Sequence, residues 1–173
     1  MIPRDYITAW RAHAPWVQDF QVEQDLVICR ALVALFSNPA LARELAFRGG
    51  TALYKLYLKP AARYSEDIDL VQVSAAPAGP LMDAVRDVLN PWLGTPQWKQ
   101  TEGRVTFNYR FNSEDAPPLR LRLKVEINSR EHFSVSSRPS QPAPVMLPSR
   151  VISSSGFLCF SPTPMRSQQS PLS

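Results

Sequence analysis

The chain has 173 residues, of which 45% are hydrophobic and 20% charged, and its formal net charge is +4. This length and balance predict one globular domain with a buried core, and the apolar runs are too short to cross a membrane. No apolar leader segment is visible near the N-terminus, so we expect a cytoplasmic protein. Cys29 and Cys159 lack the spacing of a zinc site and are expected to be free thiols.

The positive charge is concentrated towards the C-terminus. Residues 1–133 contain 16 basic and 15 acidic side chains, whereas residues 134–173 contain three arginines and no acid. Those last forty residues also contain twelve serines and seven prolines, and such a composition cannot bury enough apolar surface to offset the cost of ordering. We therefore predict a folded core over residues 1–133 and a disordered, low-complexity tail over residues 134–173. The net charge is poor evidence for a nucleic-acid groove in the core.

Two helices are predicted in the first third of the chain. Apolar residues recur at spacings of four and three from Val22 to Phe36, which predicts a helix that Asp19 caps. Asn38 and Pro39 have the pattern of an N-cap followed by the first residue of a second, short helix.

A short extended segment at residues 46–48 is expected to lead into another helix at residues 51–58. Leu53, Leu56 and Tyr57 are predicted to form the inner face of that helix.

A strand is predicted at residues 65–73, followed by a helix that begins at Pro80. Three more strands are predicted at residues 98–101, 105–111 and 119–128. In the last of these, charged and polar residues alternate strictly with leucine, valine and isoleucine, so one face is polar and the other belongs to the core.

A pair of glycines precedes the helix predicted at residues 51–58. Gly49 and Gly50 permit positive φ angles and a close approach of the backbone to a ligand. The free N–H groups at the start of a helix favour phosphate oxygens. Thr51 can cap the helix or donate its hydroxyl to a phosphate, and Arg63 and Ser65 are further candidate phosphate contacts.

Two aspartates lie on the strand that follows. Asp67 and Asp69 are two residues apart, so both carboxylates point to the same face of a strand. A shared divalent cation relieves their repulsion, and oxygen ligands of this kind suit one or two Mg²⁺ ions. Glu126, on the polar face of the last strand, is a candidate third carboxylate that binds metal or deprotonates an acceptor hydroxyl. The chemistry would be metal-assisted displacement at the α-phosphate of a triphosphate.

Each of these residues also has a purely structural interpretation. Two glycines are commonly a turn, and an isolated pair of aspartates is commonly a solvated strand end. Glu126 can belong to a charged sheet face, and Arg48, Lys55 and Arg63 are surface cations by default. The order and spacing of the glycine pair and the aspartates together favour chemistry.

These motifs resemble those of a known family. Residues 47–53 (FRGGTAL) followed by residues 63–70 (RYSEDIDL) resemble the signature of the AbiEii/AbiGii toxins, which belong to the DNA polymerase β-like nucleotidyltransferase superfamily. The resemblance extends loosely through residues 124–128 and covers roughly residues 20–133. It implies an α+β fold, with a mixed β-sheet and flanking helices.

The resemblance also implies Mg²⁺ dependence and a nucleoside triphosphate as the nucleotide donor. By the family pattern the two glycines and Thr51 hold phosphates, Asp67 and Asp69 bind metal, and Glu126 is a less certain match to the third acid. Members act as toxins of toxin–antitoxin or phage-abortive systems, and some modify the acceptor end of tRNA. The resemblance thus also implies a cognate antitoxin, encoded nearby, as a partner.

The chain departs from the family after the third acidic strand. Family members continue into a helical portion that supplies a lysine and an aspartate, but here no lysine follows Lys124 and no acid follows Glu131. We hypothesise that the reading frame was lost between Phe133 and Val151.

Three functions remain open after this sequence comparison. The first is a Mg²⁺-dependent nucleotidyltransferase toxin that transfers a nucleotide to an acceptor such as tRNA. The second is a truncated, inactive fragment that acts at most as a nucleotide-binding or interaction module, with an exposed apolar face on the sheet or on the first long helix. The third and weakest is a simple nucleic-acid-binding domain.

Overall fold

The structure is a computed structural model, and it describes residues 2–58 and 64–129. Arg63 and the tail predicted over residues 134–173 lie outside the described residues. Five helices and five strands are present in the described part. In chain order they are α1 (Arg4–Trp10), α2 (Asp19–Ser37), α3 (Pro39–Glu44), β1 (Leu45–Arg48), α4 (Gly49–Leu56), β2 (Asp67–Gln72), α5 (Ala78–Leu93), β3 (Gln97–Thr101), β4 (Arg104–Asn112) and β5 (Arg120–Asn128).

The five strands form one mixed sheet in the order β1-β2-β5-β4-β3. Strands β2 and β5 are parallel, and every other neighbouring pair is antiparallel. The predicted α+β fold with a mixed sheet and flanking helices is therefore confirmed. The parallel pair matters for function because it sets the predicted aspartate strand directly beside the strand that carries Glu126.

The core lies on one face of this sheet. Alternate residues of β4 and β5 are buried, as the alternation in the sequence predicted, and they include Phe107, Tyr109, Leu123 and Val125. Helices α2 and α5 pack their apolar residues against this layer. Each fully buried aliphatic or aromatic side chain contributes roughly 1.5–3 kcal/mol, so this layer fixes the positions of the strands. No helix in the described part of the chain is long and apolar enough to span a bilayer.

Several helix ends differ from the predictions, and α4 spans Gly49–Leu56 rather than residues 51–58. Asn38 caps α3 as predicted, because its side chain accepts hydrogen bonds from the N–H groups of Ala40 (3.0 Å) and Leu41 (3.3 Å). Helix α2 is capped by Gln18 rather than by Asp19, which is its first residue. Helix α5 begins two residues before Pro80 and runs past the proline at position 91.

The inner face predicted for α4 is wrong. The buried residues of this helix are Thr51, Ala52 and Tyr54, whereas Leu53 is 50% exposed and Tyr57 is 76% exposed. Apolar periodicity predicted the opposite face because polar contacts, rather than apolar packing, fix this helix. Exposed apolar residues therefore lie on α4, and Trp98 of the sheet strand β3 is also 51% exposed, which is one of the two places that the truncated-fragment hypothesis expected.

Those polar contacts converge on Asp25 of α2, which is 5% exposed. One carboxylate oxygen accepts from Lys55 Nζ at 2.6 Å and from the Tyr54 hydroxyl at 3.2 Å, and the other accepts from Trp10 Nε1 at 2.9 Å. Lys55 Nζ also donates to the Cys29 sulfur at 3.0 Å. We call these five residues the Asp25 cluster. It ties α1 and α4 to α2.

Lys55 is thus not the surface cation that the sequence suggested. Its side chain is only 15% exposed and forms an ion pair with Asp25. Burial lowers the pKa of Lys55, but the neighbouring Cys29 and Asp25 raise it by more, so the net change is upward. Burial raises the pKa of the Cys29 thiol despite the nearby ammonium, which favours the neutral thiol over the thiolate.

Candidate nucleotide- and metal-binding site

The glycine turn lies in direct contact with one of the predicted metal ligands. Strand β1 ends at Arg48, and α4 begins at Gly49 with a φ of +80°. A Cβ atom on Gly49 would lie 2.4 Å from Asp69 Oδ2, whereas a Cβ atom on Gly50 would meet nothing within 4 Å. Position 49 therefore requires glycine for both its backbone angle and its close approach to a carboxylate.

The three candidate carboxylates lie on adjacent strands. Asp67 and Asp69 are on β2, and the parallel pairing places Asp69 opposite Glu126 of β5. We call Asp67, Asp69 and Glu126 the acidic corner. The sequence placed these residues on polar strand faces, and the sheet register brings the two strands together.

The charges at this corner influence one another. Burial raises the pKa of Asp69, and the carboxylates of Asp67 and Glu126 raise it further, while Lys124 and Arg48 lower it. Asp67 Oδ1 is buried and has no hydrogen-bond partner among the described residues. Repelling carboxylates with an unpartnered oxygen match the oxygen ligands that divalent cations prefer.

The acidic corner is not a closed metal cluster in this structure. Within residues 2–58 and 64–129, no three histidine, cysteine, aspartate or glutamate groups are arranged so that they could hold an ion as they stand. Instead, two basic side chains lie beside the carboxylates. Lys124 Nζ lies 3.0 Å from Glu126 Oε2 and 4.0 Å from Asp67 Oδ2, and Arg104 Nε lies 3.2 Å from Glu126 Oε1. Glu126 is thus also part of a charged sheet face, which agrees with the purely structural interpretation given above.

Thr51 and Ser65 face inward. Thr51 is 2% exposed and is the third residue of α4, not its cap. Its hydroxyl donates to the Asp67 carbonyl at 2.8 Å and lies 2.6 Å from the Ser65 hydroxyl, which accepts from the Asp67 N–H at 3.3 Å. This ring of hydrogen bonds fixes the start of β2 against the first turn of α4, and so fixes Asp67 relative to the glycine turn.

The sequence analysis gave neither Lys124 nor Arg104 a role in the site. Lys124 is two residues before Glu126 in a strictly alternating strand, so its place on the same face was available from the pattern. Its position opposite Asp67 was not, because that depends on the parallel pairing of β2 with β5. Arg104 is on a third strand and gave no signal in the sequence.

Comparison with known proteins gives a family match and a partial structural likeness. The family profile described as "Nucleotidyl transferase AbiEii toxin, Type IV TA system" matches residues 30–156, well over half of the chain and beyond residue 133, where we expected the similarity to end. No match was found among curated protein sequences.

Two solved structures resemble part of the chain. One is the crystal structure of JHP933 from Helicobacter pylori, with 22% identity, a TM-score of 0.48, and coverage of 66% of this chain and 46% of that one. The other is MenT4, a nucleotidyltransferase toxin from Mycobacterium tuberculosis, with 21% identity, a TM-score of 0.48, and coverage of 75% and 44%. The chain thus spans less than half the length of either. On the family match, the chain belongs to the AbiEii nucleotidyltransferase toxin family.

Proposed function

We propose that this chain is a Mg²⁺-dependent nucleotidyltransferase, which transfers a nucleotide from a nucleoside triphosphate to an acceptor in the cytoplasm. One observation carries the proposal. The glycine turn that suits phosphates and the carboxylates that suit a metal touch each other, since a Cβ atom on Gly49 would lie 2.4 Å from Asp69 Oδ2.

The donor phosphates would lie at the N-terminus of α4. Gly49 and Gly50 are both exposed, and the first N–H groups of a helix are free to donate to phosphate oxygens. Thr51 and Ser65 lie beneath this surface, because their hydroxyls form hydrogen bonds with the backbone at the start of β2. They are positioning residues in this proposal rather than direct phosphate contacts.

The acidic corner would hold one or two Mg²⁺ ions through Asp67, Asp69 and Glu126. When bound, Mg²⁺ neutralises the triphosphate and makes pyrophosphate a better leaving group. The unpartnered Oδ1 of Asp67 and the repulsion felt by Asp69 support this assignment. These carboxylates must be ionised to act as ligands, so a cation that approaches them favours their charged forms.

In the transfer, the acceptor hydroxyl oxygen forms a bond to the α-phosphorus as the bond from that phosphorus to the β-phosphate oxygen breaks. Pyrophosphate leaves with that electron pair, and the hydroxyl proton passes to a carboxylate. Glu126 is the candidate for this proton, because it lies across the strand pair from Asp69 and its side chain is 14% exposed.

The open sheet face supports a polyanionic acceptor such as tRNA. Lys99, Arg110 and Arg120 are exposed on the face that carries Glu126, and none has a carboxylate within 4 Å among the described residues. Near-neutral charge in residues 1–133 had argued against a nucleic-acid surface. The fold gathers these cations on one face beside the acidic corner, and Lys and Arg on an open face favour phosphate backbones.

A cognate antitoxin is the other partner of this proposal, since the family is one of toxin–antitoxin systems. Neutralisation would be tested by co-expression with the protein encoded beside this gene. The expected result is restored growth of cells that the chain arrests.

The test of the proposed activity is transfer of label from α-labelled triphosphates to total tRNA with Mg²⁺. Wild-type protein should label tRNA, and both Asp67→Asn and Asp69→Asn should abolish the label. Because the chain spans less than half of the structures it resembles, the assay should include a version extended by the C-terminal region of a family member. No transfer by either version would contradict the proposal.

The second candidate is a module that binds the triphosphate without transferring it. The ion pairs of Glu126 with Lys124 and Arg104 favour it, because they already engage the carboxylate proposed to accept the proton. Binding of Mg²⁺ and triphosphate by this chain, with transfer only by the extended version, would identify this case.

A further inference from the structure

Lys124 lies between carboxylates of two neighbouring strands. The register pairs it with Asp67, and its Nζ atom is 3.0 Å from Glu126 Oε2 and 4.0 Å from Asp67 Oδ2. The side chain is 28% exposed, so it is held at the edge of the site rather than extended into solvent. Its ammonium group provides positive charge where the carboxylates would otherwise repel one another.

Lys124 contacts only some of the carboxylate oxygens of the acidic corner. It contacts Oδ2 of Asp67 and leaves the buried Oδ1 without a partner. Of the three carboxylates, Arg104 contacts Glu126, whereas the positive charge that acts on Asp69 comes from Lys124 and Arg48. Two of the oxygens that a divalent cation would use, Asp67 Oδ2 and Glu126 Oε2, are the oxygens nearest the ammonium. A cation bound there and the lysine cannot both keep these contacts.

We propose that Lys124 is a positioning residue that exchanges partners, contacting the carboxylates without a divalent cation and the donor phosphates when cation and triphosphate bind. This inference rests on the proposed function. Lysine suits the exchange because its ammonium is a compact charge on a flexible stem and binds phosphate well. The glycine turn that would hold the phosphates contacts Asp69, which is two residues from Asp67, so the second partner would lie close to the first.

The exchange makes a specific energetic prediction. The lysine competes with a divalent cation that binds alone but assists a triphosphate that binds with it. Cation and triphosphate therefore bind cooperatively, and each raises the affinity for the other by the same factor. A lysine that is only part of a charged surface would also shift the two affinities in opposite directions, but by no more than another cation on the same strand face.

The test is calorimetry on wild-type protein and Lys124→Met, which keeps most of the side-chain length and removes the charge. Two titrations are needed, Mn²⁺ alone, and ATP and GTP separately at saturating Mg²⁺. We expect Lys124→Met to lower the Kd for Mn²⁺ roughly three- to tenfold and to raise the triphosphate Kd about tenfold. Its melting temperature without metal should fall, because the carboxylates lose their internal cation.

Arg122→Met is the matched control. Arg122 is on the same strand face, and it lies 3.8 Å from Glu66 rather than between Asp67 and Glu126. Removing its charge should change both dissociation constants less than twofold. If both variants lower the Kd for Mn²⁺ equally, general charge explains the effect and the exchange is overturned.

Unchanged or weaker Mn²⁺ binding by Lys124→Met would also overturn the inference. Lys124→Gln provides a second variant in case the methionine disturbs folding, with the same expected directions. Absence of any divalent-cation or triphosphate binding by wild-type protein is a different result, since it would overturn the proposed function itself.

Discussion

The Asp25 cluster and the acidic corner both contain partly buried carboxylates, but their surroundings are opposite. Asp25 receives three hydrogen bonds, from Trp10, Tyr54 and Lys55, and each of its oxygens is satisfied. The acidic corner places three carboxylates side by side and leaves Asp67 Oδ1 without a partner. Satisfied buried charge holds helices together, whereas unsatisfied charge on adjacent strands is typical of a site that binds a cation.

The largest effect of a single substitution is expected at Asp25. Asp25→Asn leaves the buried Lys55 ammonium without an anion and should lower the free energy of unfolding by about 3–5 kcal/mol. Asp83→Asn is the control, because Asp83 forms an ion pair with Arg86 while its side chain is 69% exposed. That control should cost less than about 1 kcal/mol. Urea denaturation measures both, and equal costs would show that the Asp25 cluster is not a structural anchor.

Gly49 tests the contact between the turn and the acidic corner. Gly49→Ala combines a positive φ with a Cβ clash against Asp69, so it should cost about 1–3 kcal/mol and weaken triphosphate binding. Gly50→Ala, with nothing within 4 Å of the added atom, should change stability by less than about 1 kcal/mol. Thermal melts with and without triphosphate separate the two variants. Similar behaviour of both would contradict the close approach at position 49.

Glu23 is an intermediate case, since one oxygen accepts from the Glu114 N–H at 2.9 Å and the other has no partner among the described residues. Burial raises the pKa of Glu23 above its ordinary 4.5, and the carboxylates of Glu114 and Asp115 add to the rise. A raised pKa means that the folded state holds the proton more tightly. The protonated Glu23 side chain therefore contributes stability that is present below pH 4.5. This contribution is lost as the pH rises through the pKa that Glu23 has in the folded state.

Glu23→Gln should remove this loss. Unfolding free energies measured from pH 4 to pH 8 should fall less steeply with rising pH in the variant, by at most about 1.4 kcal/mol per pH unit. Parallel curves for the two proteins would show that Glu23 does not carry the pH dependence.

The smallest effect is expected at Asp69, and its sign is opposite to that at Asp25. Asp69→Asn removes a charge that faces Glu126 and neighbours Asp67, so it should raise stability by about 0.2–1 kcal/mol while weakening cation binding. Chemical denaturation without metal checks the first part. A loss of stability would mean that the corner is a satisfied charge network and not a binding site.

The sequence predicted much of the fold because local chemistry determines it. Alternation in β5 and the cap at Asn38 are short-range signals, and both agree with the structure. The inner face of α4 could not be predicted, because it depends on Asp25, thirty residues before Lys55. Apolar periodicity assigns Leu53 to the core, and only the folded structure shows that a buried ion pair determines the opposite orientation.

The candidate site was predicted as a set of residues but not as an arrangement. The glycine pair and the two aspartates are local motifs, and their contact follows from β1 pairing with β2. The place of Lys124 depends on a parallel pairing between strands more than fifty residues apart. Such pairings are set by the packing of the whole sheet, which no short motif encodes.

The most direct test of the central claim is a calorimetric titration of Mg²⁺, followed by a nucleoside triphosphate, into wild-type protein and Asp67→Asn. We predict saturable binding to the wild type, with at least about a tenfold loss of affinity in the variant, equivalent to 1.4 kcal/mol, and an unchanged circular dichroism spectrum. Equal binding by the two proteins, or no binding by the wild type, would contradict it.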